Sequence, residues 1–271
     1  MKQTPFLSLI IPCYKQEKFI VDNLKQIVET LGRTRYSYEV IVVVDGEYDN
    51  SFRVLSNASI RGKYGRLSQA SVYEYAENKG KSYAIRFGMS QALGEHVMFL
   101  DSGMEIGADG ISMLLEHMKW YNADVIVGSK RHPASQVNYT LQRKILSIGY
   151  YYFVKTLFGV KVKDTQAGIK VFKRKVLEKT LPRLVEKRFA GDLEMLVVAK
   201  SLGFHRIYEA PIKLDYTFSN ISSAADWKSI WKIFYDTLGI FYRFKIMKYY
   251  ELPHSRFHPP EKVKRKIIPL I

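Results

Sequence analysis

Residues 39–51 read EVIVVVDGEYDNS, and the fold class follows from them. Five consecutive β-branched apolar residues with no polar alternation suit a strand covered on both faces, as in a parallel sheet with helices on each side. The run stops at Asp45, where glycine, aspartate and asparagine supply a turn. Working outward, residues 7–11 repeat the strand pattern and residues 19–31 place apolar side chains at helical spacing. Residues 82–93 then read as helix, 96–100 as strand, 111–121 as helix and 124–127 as strand. Such alternation predicts an α/β fold: a Rossmann-like, mostly parallel sheet flanked by helices. Ligands of such sheets bind beyond the strand C-termini.

The chain has 271 residues, 47% of them hydrophobic, enough for one large α/β domain with a sizeable core. Its 42 basic residues against 26 acidic ones leave a formal charge of +16. That field attracts nucleic acid, anionic lipid head groups and phosphorylated small molecules. A lone cysteine, Cys13, excludes an internal disulfide and a zinc site of cysteine-pair type, so nothing argues for secretion. The N-terminal apolar run is short, is interrupted by Pro12 and precedes no small-residue cleavage site, so it reads as a strand and not as a signal. No stretch reaches the roughly 18 apolar residues needed to cross a bilayer, and membrane association is expected to be peripheral.

The second half differs in kind. Between Lys130 and Arg188 there are fifteen Lys or Arg against three acids. Within it, residues 141–158 (LQRKILSIGYYYFVKTLF) place Leu141, Ile145, Ile148 and Tyr152 on one helical face, with Arg143, Lys144 and Lys155 elsewhere. Residues 227–250 interleave Trp231, Phe234, Leu238, Phe241 and Tyr242 with Lys228, Lys232, Arg243, Lys245 and Lys248. Basic, aromatic-rich amphipathic helices suit a lipid interface; the alternative is helices packed on the sheet with solvated lysines outside. The tail from Pro253, with its KVKRK cluster, reads as an extended or mobile basic arm.

Residues able to carry chemistry lie at the ends of predicted strands. A carboxylate at Asp45 can accept the ring N–H of a base, or merely form the turn. Asp101, after the strand HVMFL, and Glu105 four residues on offer hard oxygen ligands for a divalent cation that bridges a diphosphate. In ENKGKS, Lys79 and Lys81 stand just ahead of a helix, where cations and free N–H groups suit a phosphate. The phosphate-binding loop of nucleotide triphosphatases needs a glycine at position 75, and Tyr75 is there. The chain has no GxGxxG, HExxH or GxSxG, and its six histidines show no metal-ligand spacing.

Taken in order, these pieces resemble a family-2 glycosyltransferase of the GT-A fold, in its dolichyl- or polyprenyl-phosphate branch, closest to dolichyl-phosphate glucosyltransferases. The resemblance spans residues 6–248. SLIIPCYKQE is similar to the opening strand and Pro-x-Tyr-Asn-Glu turn, with Lys15 for the usual Asn. VVVDGEYDNS resembles the Asp-Asp-Gly-Ser loop, with Val44 in the first Asp position and Asp45 in the base-contacting one. ENKGKSYAIRFGMSQALGE is similar to the Asn-x-Gly-Lys-Gly segment. The usual Asp-x-Asp metal motif departs here: Asp101 is present, Gly103 stands where the second Asp would be, and Glu105 falls where a ligand can also stand. GSKRH, the spacing of Arg143 and Ser147, and DTQAGIK resemble the most specific blocks of the branch. FAGDLEMLVVAKSLGF resembles the block that holds an acidic catalytic residue in many members, which points to Asp192 and Glu194.

The resemblance implies a nucleotide-sugar donor contacted by Pro12, Tyr14, Glu17, Asp45, Lys79, Lys81, Asp101 and Ser102. It implies Mg²⁺ or Mn²⁺ on Asp101 and Glu105, and a polyprenyl or dolichyl phosphate acceptor held by Lys130, Arg143, Ser147 and Lys170, with Asp101, Asp192 and Arg143 catalytic. UDP-glucose is the expected donor, with GDP-mannose the alternative. Residues 1–252 would form the GT-A domain: a nucleotide-sugar half over 5–128, an acceptor half over 129–218 and an interfacial helix over 224–250, with 253–271 a basic tail. The expected location is peripheral, at the cytoplasmic face of a membrane, on an anionic surface. Many members of the branch carry transmembrane helices; here either the amphipathic helices suffice or a membrane-anchored protein partner holds the chain. Three rivals stay open: transfer to a saccharide hydroxyl with Asp192 as base, a degenerate non-catalytic relative, and a basic nucleic-acid-binding protein. No helix-turn-helix, zinc-finger or RNA-recognition signature supports the last, so nucleic acid is not an expected partner.

Overall fold

The computed structural model describes residues 4–58, 68–103, 108–137, 141–214, 227–253 and 257–270. Among them runs an eight-stranded sheet in the order β7 (Ile207–Pro211), β5 (Val125–Ser129), β6 (Ile169–Lys173), β4 (His96–Leu100), β1 (Leu7–Cys13), β2 (Tyr38–Asp45), β3 (Ser68–Tyr75), β8 (Lys264–Leu270). Strands β1 (Leu7–Cys13), β2 (Tyr38–Asp45), β3 (Ser68–Tyr75) and β4 (His96–Leu100) are mutually parallel at its centre. Every residue of β1 is buried, as is β2 from Val40 onward, so the unbroken apolar runs mark strands sandwiched between layers. Helices α1 (Ile20–Gly32) and α2 (Ser51–Ser56) follow β1 and β2, and α1 buries its apolar face with Val40, Val42 and Val44. Helix α3 (Lys81–Gln91) lies on the other face with Ile10, Val43 and Phe99.

The sheet is mixed beyond β4. Helix α4 (Gly110–Trp120) leads to β5 (Val125–Ser129), and α5 (Leu141–Phe158) leads to β6 (Ile169–Lys173). Strand β6 inserts antiparallel between β4 and β5. Helices α6 (Arg174–Thr180) and α7 (Gly191–Ser201) then return the chain to β7 (Ile207–Pro211), parallel to β5.

Two segments differ from expectation. The helix beginning at Trp227 (α8) ends at Phe241 and gives way to a π-helical turn over Tyr242–Ile246, so residues 227–250 are not one continuous helix. The tail does not hang apart from the domain: Lys264–Leu270 forms β8, antiparallel to β3. Ile268 opposes Ala70 and is buried in the core cluster of α1 and α2. The exposed Lys264, Arg265 and Lys266 blunt this edge against further strand pairing. The partner strand of β8 lies 190 residues earlier at Glu74, and no local pattern announces it.

Candidate active site

Strands β1 and β4 pair only as far as Ile10 and Phe99. Past that point Pro12 has β2 alone as ladder partner, and proline is tolerated where one side of a strand is unpaired. Helices α1 and α3 cover opposite faces, so the order switches here and a crevice opens above the strand ends, where ligands of α/β sheets bind.

The turns above β1, β2 and β3 are tied to one another. The Glu17 N–H donates to Asp49 Oδ2 at 3.1 Å, and the Asn50 N–H donates to Glu17 Oε2 at 2.9 Å. Asp45, 2% exposed, accepts four groups: the Tyr75 hydroxyl and Lys79 N–H on Oδ1, and the Asn78 amide and Gly80 N–H on Oδ2. Those bonds use the lone pairs of the carboxylate, so Asp45 holds the start of α3 in place and has little left for a base. Exposed aromatics stand beside it: Tyr14 and Tyr48 meet edge-on at 5.7 Å with the Lys15 ammonium over both rings. The sequence marks Lys15 only as a replacement for the usual Asn and leaves Tyr48 unremarked; an aromatic in the glycine turn after β2 was the available signal.

Four charged side chains converge beneath the crevice. The Lys81 ammonium, at the first residue of α3, lies 2.9 Å from Asp101 and 3.3 Å from Asp192 Oδ2. Lys170 reaches Asp192 Oδ1 at 2.6 Å and donates to the Ala167 carbonyl at 2.7 Å. Both ammoniums lie over the Phe99 ring. Burial opposes the charge on Asp192, but Lys170 and Lys81 outweigh it and hold its carboxyl below the usual range. Burial pulls Lys170 down against the attraction of Asp192. For Lys81, burial is outweighed by Asp101 and Asp192, which raise it. Gly168 is required where it stands, because a Cβ there would collide with the Asp101 carboxylate.

This arrangement corrects the expected role of Lys170. It is fully buried on β6, opposite Phe99, and is the counter-ion of Asp192, not a cation open to an acceptor phosphate. Glu194 is likewise buried, accepting the Tyr250 hydroxyl and the Val185 and Glu186 N–H groups. The Lys79 ammonium lies over the Tyr83 ring. The buried Ser102 gives its carbonyl to Asn23 on α1. The Lys130 N–H donates to Asp164, and the Ser147 carbonyl accepts from Arg131. Arg131, missed beside Lys130, stacks on Tyr151 and ties α5 to the sheet. Glu105 and the Arg143 side chain lie outside the described residues. Exposed Lys187 and Arg188, also missed, belong to a loop whose carbonyls cap α3: Lys187 accepts from Tyr83 N–H, and Arg188 accepts from the Ser82 hydroxyl.

Asp101 Oδ1 is buried and has no hydrogen-bond partner; its contact is the Lys81 ion pair. A hard carboxylate at a strand end whose one ion-pair partner is a lysine suits Mg²⁺ or Mn²⁺, since magnesium-type sites combine one or two carboxylates with substrate phosphates. A cation here would share Asp101 with Lys81. A side chain at Gly103 would meet nothing within 4 Å, and no three acidic, histidine or cysteine groups converge among the described residues.

Residues 8–181 match the family model described as glycosyl transferase family 2. The chain belongs to that family. This family-2 chain is 32% identical over 212 residues to the dolichyl-phosphate beta-glucosyltransferase of Drosophila melanogaster, covering 72% of this chain and 63% of the fly protein. It therefore spans less than two thirds of that relative. It is 27% identical over 243 residues to the UDP-N-acetylglucosamine–dolichyl-phosphate N-acetylglucosaminyltransferase of Methanococcus voltae, covering 86% of this chain and 94% of the archaeal one. Glucosyl-3-phosphoglycerate synthase from Mycobacterium tuberculosis, solved with Mn²⁺, UDP-glucose and phosphoglyceric acid, superposes with a TM-score of 0.61 at 13% identity, over 93% of this chain and 81% of that one. This likeness establishes the shared GT-A fold.

Proposed function

We propose that this family-2 chain transfers a sugar, glucose from UDP-glucose, to a polyprenyl or dolichyl phosphate at an anionic membrane surface, with inversion at C1. One observation carries the choice of acceptor. Both oxygens of Asp192 are paired to ammonium groups, and the residue is 1% exposed. A carboxylate so held, with its proton affinity lowered, is a poor base for a sugar hydroxyl. A phosphate acceptor is already an anion and needs none. The relatives named for dolichyl phosphate support the same reading.

In the proposed step a phosphate oxygen of the lipid attacks C1, the bond from C1 to the diphosphate breaks, and the nucleoside diphosphate leaves with the electron pair. The difficulty is bringing two anions together, and a basic, water-poor crevice offsets their repulsion by several kcal/mol. Lys81, the first residue of α3, would bring its ammonium to the diphosphate from between Asp101 and Asp192. Lys130, Arg143 and Ser147 would serve the acceptor phosphate. Asp101, with Glu105, would hold Mg²⁺ or Mn²⁺, which when bound supplies Lewis-acid stabilisation of the departing diphosphate.

A panel of UDP- and GDP-sugars, with and without polyprenyl phosphate and Mn²⁺, tests this reading. Nucleotide release from UDP-glucose is expected only when lipid phosphate and metal are both present. Release that depends instead on a saccharide hydroxyl, or on GDP-mannose, would overturn the acceptor or the donor respectively.

Helices α5 and α8 would face the membrane. They pack together through Phe153 stacked on Phe234 at 4.8 Å and a hydrogen bond between the Tyr150 and Thr237 hydroxyls at 3.0 Å. Their outer surface leaves Ile145, Leu146, Tyr152, Trp231, Tyr235 and Leu238 exposed, with Lys144, Lys155 and Lys232 among them. No helix of the described residues is long and apolar enough to cross a bilayer, and this pairing of apolar and cationic groups suits an anionic interface. The protein should float with vesicles containing 30% phosphatidylserine, and the Trp231→Ala/Tyr235→Ala variant should lose at least about tenfold in partition. Equal flotation of parent and variant would remove these helices from the interface.

A further inference from the structure

Strand β8 ends the sheet beside the turns that bracket the crevice. Its first residue, Lys264, lies 2.8 Å from Glu47 Oε1 and 3.1 Å from Glu74 Oε2. Glu47 belongs to the turn after β2, where its N–H donates to the Ala76 carbonyl. Glu74 is on β3, in register with Lys264. One cation thus joins the β2–α2 turn to the sheet edge from outside. The same turn carries Tyr48 and Asp49, and Asp49 in turn holds Glu17, so the fastening reaches the β1–α1 turn as well. The segment before β8 is also fastened: Phe257 meets Tyr83 edge-on at 5.5 Å with the Arg86 guanidinium 4.4 Å above it. Residues 258–262, with Tyr75, Lys79 and Tyr83, line a cleft of about 470 Å³.

Charge gives the contact its consequence. Glu47, Asp49 and the buried Glu74 form an acidic group at the rim of a crevice read as the seat of a nucleoside diphosphate. Burial raises the Glu74 carboxyl, Lys264 pulls it back toward ionisation, and Glu47 and Asp49 push it up again. Without Lys264, an incoming diphosphate would meet this acidic group uncancelled.

We propose that the C-terminal strand is part of the donor site, with Lys264 a positioning residue that steadies the 46–50 turn and cancels the charge of Glu47 and Glu74 toward a nucleoside diphosphate. This rests on the donor reading above. The variants are Lys264→Met, Lys264→Arg, Glu47→Gln and the Lys264→Met/Glu47→Gln pair in the full chain. UDP binding is read by calorimetry, and amide hydrogen exchange of residues 46–50 is read without ligand. Lys264→Met should bind UDP about fivefold more weakly, the scale of a partly exposed ion pair, and exchange faster at 46–50. Lys264→Arg should bind as the parent does, and removing the Glu47 charge beside Lys264→Met should recover at least half of the loss, which repair of a merely weakened strand would not. Parent-like UDP affinity in Lys264→Met, or an arginine variant as weak as the methionine one, would overturn the proposal. A parent that binds no UDP would instead defeat the donor reading, and unchanged exchange at 46–50 would then still decide against Lys264.

Discussion

Asp101→Ala is expected to lower sugar transfer to lipid phosphate by about 10³-fold, the scale of losing one preorganised electrostatic group at a reacting centre. The reason is positional. Asp101 leaves β4 where that strand has parted from β1, its N–H is held by the Gly168 carbonyl at 3.0 Å, and its Oδ1 has no hydrogen-bond partner. Stability should change by no more than about 1 kcal/mol, as for partly exposed ion pairs, because the side chain is 40% exposed and Lys81 keeps its contact with Asp192. A folded Asp101→Ala protein, checked by thermal melting, that makes lipid-linked sugar at the parent's rate would remove this carboxylate from the mechanism.

Asp192→Asn should act chiefly on stability. The substitution keeps the shape but leaves the fully buried Lys170 ammonium facing a neutral amide. Breaking one side of a buried pair costs about 3–5 kcal/mol, which at roughly 2–4 °C per kcal/mol lowers Tm by roughly 6–20 °C. The sign with pH follows from the depressed carboxyl of Asp192. Its contribution is complete above the unfolded value of about 3.9 and is lost as pH falls through the lower folded value. Urea melts of the parent on acidification below about pH 4 should therefore fall more steeply than those of Asp192→Asn. At a temperature where the variant is folded, transfer to lipid phosphate should persist. A loss beyond 10⁴-fold in intact protein would make Asp192 a base after all.

The sequence alone determined the central strands, the helices between them and the family. Periodicity is a local property, so the unbroken run at 40–44 and the helical spacing at 19–31 could be read without knowing their neighbours. Asp101, Lys81 and Asp192 were legible as candidates because motif order carries them. Tertiary structure decided how each charge is paired and buried. Lys170 is one cation among fifteen in its segment until antiparallel β6 seats it opposite Phe99 and against Asp192. Asp45 could serve a base or a loop until four donors from residues 75–80 close on it. The tail reads as an extended or mobile basic arm until β8 meets β3, which joins Lys264 to a glutamate 190 residues away. In each case the deciding partner is remote in sequence, and burial with pairing, not residue type, determines whether a charge binds a ligand or holds the fold.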